Sequence, residues 1–128
     1  MAAIFLLVVL SALGIFIITI GEAQRFTSLA AMQGTRAYYA AASGLEWGVY
    51  QSVVSSSCAA TSTFVPAGIG LSGYSVTVTC TEPAGSPYTE AGNSNIHVYI
   101  INSTATFGTY GDRDYYSRTL QVTVTNAP

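Results

Sequence analysis

Residues 1–54 read MAAIFLLVVLSALGIFIITIGEAQRFTSLAAMQGTRAYYAAASGLEWGVYQSVV, a run without proline whose first twenty residues carry no charge. Wound as a helix at about 1.5 Å per residue, those twenty residues span about 30 Å, the thickness of a bilayer's hydrocarbon core. Such a segment needs lipid or other apolar helices around it. Ser11 and Thr19 are its polar residues, and each hydroxyl can bond to a backbone carbonyl one turn back, so neither draws water in. Gly14 and Gly21 each weaken a helix interior by about 1 kcal/mol relative to alanine and mark where this one can bend or unwind.

From Glu22 the pattern changes. Apolar or small residues recur at helical spacing (Phe26, Leu29, Ala30, Ala37, Ala41, Gly44, Leu45, Gly48, Val49, Val53), which predicts an amphipathic helix over 22–54 with one face on a soluble body. Ala37, Ala41, Gly44 and Gly48 form a smooth stripe that a sheet or another helix can approach closely. Ser55 to Ser57 end the helix, and 61–72, with Pro66, Gly68 and Gly70, reads as loop.

Beyond that loop the period becomes two. Tyr74, Val76, Val78 and Cys80 alternate with Ser75, Thr77 and Thr79, a half-buried strand. Residues 81–95, with Pro83, Gly85, Pro87 and Gly92, read as loop; 96–101 as a second strand, with His97 on the face opposite Ile96, Val98 and Ile100; and 103–107 as its short continuation. The turn-rich stretch 108–116 leads to a last strand, 118–125, where Leu120, Val122 and Val124 alternate with hydroxyls and Gln121. Strands without intervening helices make an antiparallel sheet, and the amphipathic helix is the element able to cover its apolar face. The expected fold is α+β: a long N-terminal helix on a small antiparallel sheet of three or four strands. It divides into an apolar helix half, 1–21, and a head, 22–128.

Composition bounds the chemistry. Charged residues are 8 % of the chain, against about 25 % in ordinary soluble domains. Four arginines, Arg25, Arg36, Arg113 and Arg118, face six acids, so there is no basic surface of the kind that neutralises phosphates, and no nucleic-acid partner is predicted. Cys58 and Cys80 flank a loop and the following strand, the arrangement of a single disulfide in an oxidising compartment; two buried free thiols are the competing reading. No catalytic set, cofactor site or metal site is expected. There is no lysine, His97 stands alone on a strand, and no serine or cysteine has a nucleophile-elbow context. Asp112 and Asp114 supply two oxygens where calcium wants six to eight, so a solvated turn is the preferred reading. Asn102-Ser103-Thr104 fits the short N-glycosylation pattern.

AIFLLVVL at 3–10, GTRAYYAAASGLEWGVY at 34–50, then Cys58 and YSVTVTC at 74–80, taken together, resemble the type IV pilin and pseudopilin superfamily, and most closely the MshP-type proteins of mannose-sensitive haemagglutinin pilus biogenesis. The resemblance implies a prepilin whose basic leader is removed by a prepilin peptidase. Met1 then becomes a new, methylated amino terminus. It implies a single-pass inner-membrane subunit with its head in the periplasm, which then assembles with copies of itself, other pilins and the assembly machinery into an extracellular, adhesive filament. Major pilins carry glutamate at the fifth mature position; here Phe5 leaves register to apolar packing, through a face of Met1, Phe5, Val8, Val9, Ala12 and Phe16. The usual proline position holds Glu22, so any unwinding relies on Gly14 and Gly21. The alternatives are a minor pilin or pseudopilin of a pilus or secretion system, and a monomeric membrane-anchored periplasmic binding module that uses the loops at 81–95 or 108–116.

Overall fold

One helix, α1 (Ala2–Val49), opens the chain and passes through Gly14, Gly21 and Gly34 without a break. The computed structural model describes residues 2–90 and 92–126, which fall into two compact units, Met1–Gln33 and Gly34–Pro128. In the first unit the helix is the whole structure. Its Ser11 hydroxyl donates to the Val8 carbonyl at 2.8 Å, as the spacing predicts, while the Thr19 side chain lies outside the described residues. Phe26 and Leu29, expected on the packed face, are exposed in this unit, as is Ala30; the buried stripe begins at Ala37.

In the second unit the helix ends differently from the expectation of regular turns to Val54. Tyr50–Val54 form a π-helical turn, closed by the Ser55 N–H donating to the Tyr50 carbonyl at 3.3 Å and the Ser57 N–H to that of Gln51 at 2.9 Å. The cause is local. The buried Ser52 hydroxyl donates to the carbonyls of Gly48 at 2.9 Å and Val49 at 3.2 Å, competing with the backbone donors that a regular turn would send there.

The sheet has four antiparallel strands in the order β1 (Ser62–Phe64), β2 (Tyr74–Thr81), β5 (Val98–Phe107), β6 (Tyr116–Thr125), while β3 (Tyr88–Glu90) and β4 (Asn93–Ile96) pair separately as a small ribbon. β1, β3 and all of β4 but Ile96 fall in stretches expected to be loop. At three or four residues each they are too short for alternation to register. The two expected pieces at 96–101 and 103–107 are instead one ten-residue strand preceded by a break at His97. That break resets the parity. Tyr99, Ile101, Ser103 and Ala105 face the core, and Val98 and Ile100 do not.

Helix and sheet meet along the small-residue stripe. Ala37, Ala40, Ala41, Gly44 and Gly48 are buried against Tyr74, Val76, Val78, Ile101, Ser103 and Ala105. A Cβ at Gly44 would overlap Ser103 Oγ and lie 2.5 Å from Val76 Cγ1; one at Gly48 would lie 2.8 Å from Ile101 Cγ2. The two glycines therefore set how close the helix comes, and that closeness is why β5 carries serine and alanine where a more distant helix would leave a void.

Candidate assembly surfaces

The apolar half of α1 gives its unit an unusual surface. Phe5 is 69 % exposed, Val8 62 % and Phe16 64 %, with Val9 and Ala12 exposed beside them on the same helical face. Met1 lies outside the described residues. Ile4, Leu6, Leu7, Leu10, Leu13, Ile15, Ile17 and Ile18 are exposed around the rest of the circumference, so the segment is apolar on every side. It is long and apolar enough to cross a membrane. A Cβ at Gly14 or Gly21 would meet nothing within 4 Å, so neither glycine is required by packing within this unit.

On the head, Cys58 and Cys80 are disulfide-bonded across a sequence separation of 22, with Cα atoms 5.2 Å apart. The bond ties the segment leaving the helix to the end of β2, and the Cys80 N–H donates to the Ala59 carbonyl at 3.2 Å beside it. Next to the bond a cleft of about 230 Å³ is lined by Trp47, Gln51, Ser57 and Ser62 among others. A second, more open groove of about 450 Å³ runs between the end of the helix and β6, lined by Leu45, Glu46, Val49, Tyr50, Val53, Val54 and Val122. Apart from Glu46 and Tyr50, the side chains lining it are aliphatic. Leu45 and Val49, expected on the packed face, do pack against the core, at the edge of the glycine stripe; their outer sides, with the exposed Val53, form one wall of this groove.

The polar constellations do structural work. His97 Nδ1 and the Ser86 hydroxyl both contact the same Glu82 oxygen, Oε2, at 3.2 and 3.1 Å, and the His97 ring stacks on Tyr99 with centroids 5.9 Å apart. A nucleophile needs its base as hydrogen-bond partner; here histidine and serine share a carboxylate and fasten the segment after β2 to the start of β5. Burial pushes the Tyr99 phenol above its ordinary value of 10.0, with the Glu82 charge adding to the rise. Burial likewise raises Tyr74, against the opposing pull of the Arg36 cation. Asp112 and Asp114 are exposed on the turn between β5 and β6, and among the described residues no group of three or more histidine, cysteine or acidic side chains is gathered as metal ligands. Asn102-Ser103-Thr104 lies inside β5, paired with β2 on one side and β6 on the other, with Ser103 fully buried and Asn102 half-buried. No protein-family model, curated protein or solved structure matches this chain.

Proposed function

We propose that the chain is a structural subunit of the type IV pilus class, which self-associates through its apolar helix half into an extracellular filament and catalyses nothing. One observation carries the reading: helical residues 2–20 are without a charge and apolar around the full circumference, in a chain whose second unit has its own sheet, core and disulfide. Such a surface must be covered. Burying one leucine, isoleucine or phenylalanine is worth about 1.5–3 kcal/mol, so a helix leaving lipid is driven into a bundle of its own kind. The face of Phe5, Val8, Val9, Ala12 and Phe16 is the proposed seam against neighbouring helices. Gly14 and Gly21 are proposed as the points where the helix unwinds in the filament, since lipid would hold the same backbone fully helical. Before assembly the helix anchors the subunit in the inner membrane with the head in the periplasm, where the disulfide is maintained. Participation as a minor component beside other pilins uses the same surfaces.

The test is Val9→Asp. An unpaired carboxylate in an anhydrous bundle costs several kcal/mol in each subunit, while the head has its own core and disulfide. Filament sheared from cells should be lost while membrane-held, disulfide-bonded subunit persists at its usual amount. Normal filament yield would reduce the apolar half to an anchor and favour the monomeric binding module.

A further inference from the structure

From Thr119 onward β6 is a sheet edge without the devices by which proteins keep edges apart. Among the described residues it has β5 on one side and no strand on the other. All ten of its residues stay in register with β5, so no bulge twists it away, and it contains neither proline nor lysine. The opposite edge, β1, is protected by being three residues long. Directly beside β6, on the helix side of the sheet, opens the aliphatic groove walled by Leu45, Val49, Val53, Val54 and Val122. Tyr50 and Val54, 59 % and 65 % exposed, leave that wall uncovered. A row of outward backbone donors and acceptors and a flanking apolar groove call for one kind of occupant: an extended strand with an apolar residue at every second position.

We infer that this occupant is β6 of a second copy of the chain, paired antiparallel about a two-fold axis so that the two four-stranded sheets become one. β6 carries the required pattern itself. Leu120, Val122 and Val124 lie on the half-buried face, and Thr119, Gln121, Thr123 and Thr125 on the exposed one. Self-pairing also sets a restriction: an antiparallel two-fold centred on Val122 places Gln121 opposite Thr123, Leu120 opposite Val124 and Thr119 opposite Thr125, so each residue must suit its mirror position and like charges at mirrored positions would repel. Residues 119–126 carry no charge, and Arg118 lies at the end of that stretch. Threonine meets threonine or glutamine on one face, and aliphatic meets aliphatic on the other. The two-fold also brings both grooves to a single seam, where each copy's aliphatic row continues the floor beneath the other's helix end. The contact uses the head alone and stands apart from the filament reading.

The experiment is sedimentation of the full chain in detergent, with near-ultraviolet circular dichroism confirming a folded head in every variant. Wild type and Val9→Asp should both be dimers. Gln121→Lys combined with Thr123→Lys, both on the exposed face, should be monomeric, with dimerisation weakened by about tenfold or more, as should Gln121→Glu combined with Thr123→Glu; an equimolar mixture of the two should regain the dimer. A monomeric wild type overturns the inference and leaves the edge to an extended segment of another protein. A dimer that survives the paired lysines, or dissolves with Val9→Asp alone, also overturns it, by placing the association on the helix.

Discussion

Replacing Gly44 with alanine sets two effects of known sign against each other. Alanine in place of a mid-helix glycine favours the helix by about 1 kcal/mol. Against this, the new Cβ would overlap Ser103 Oγ, sit 2.5 Å from Val76 Cγ1 and 3.1 Å from Val78 Cγ2. Ser103 has a hydroxyl that can swing, but Val76 is fully buried and β-branched, hence stiff at χ1. Overpacking of this kind costs about 1–3 kcal/mol, and contact with a stiff buried side chain puts it toward the upper end, for a net loss of about 1–2 kcal/mol. For a head of this size the midpoint of thermal unfolding should fall by roughly 5–15 °C. Gly34→Ala supplies the control, because a Cβ there meets nothing within 4 Å; it should raise the midpoint by roughly 4–8 °C. Near-ultraviolet circular dichroism is the right signal, since Trp47 and all nine tyrosines lie in the head and a detergent-held helix half cannot mask the transition. Ser103 Oγ is buried without a protein hydrogen-bond partner, so adding Ser103→Ala removes both the overlap and an unsatisfied hydroxyl. The double variant should lose less than the two single effects summed, by on the order of 1 kcal/mol. If Gly44→Ala proves as stable as Gly34→Ala, the helix does not rest on the sheet at Gly44 and the packing argument fails.

Reduction of Cys58–Cys80, or Cys58→Ala with Cys80→Ala, should cost the head about 3 kcal/mol, measured as the fall in unfolding free energy in urea; thiol titration of unfolded, unreduced protein should find none free. The head should also weaken in alkali. Tyr74 and Tyr99 hold their protons more tightly folded than unfolded, so their contribution is complete below pH 10.0 and is lost as pH rises through their raised folded values. Urea midpoints that stay level from about pH 8 to about pH 11 would contradict this, and Tyr74→Phe should flatten the slope.

Much of the architecture is legible because two periods dominate it. Residues 2–49 have no proline and abundant alanine, and β2 alternates without a fault from Tyr74 to Cys80. What escaped reading did so for physical reasons. In 96–107 the large aliphatics Ile96, Val98 and Ile100 advertise one face, yet the break at His97 separates Ile96 from the strand that follows, and the core side of β5 is filled partly by Ser103 and Ala105. Hydrophobicity cannot find a core face whose residues are small to admit a helix backbone; the glycines at 44 and 48, read together with those small residues, were the available signal. The groove beside β6 was hidden for a related cause. Leu45, Val49 and Val53 share the helical spacing of a buried stripe, and only the position of the sheet beneath the glycines decides that Leu45 and Val49 pack at its edge while Val53 stays open. Phe5, Val8, Val9, Ala12 and Phe16, by contrast, were legible at once as a surface in need of cover, because no charged residue competes for that stretch.

The bond between Cys58 and Cys80 has a mechanical meaning as well. Stretched between the helix and the end of β6, an oxidised head can lengthen only outside the closed loop, and the chain between the two cysteines bears no load until a thiol opens it. At about 3.5 Å per extended residue the bond withholds roughly 75 Å of contour. Under tension the oxidised subunit is a short tether with a fixed stop, and the reduced one a longer, softer spring.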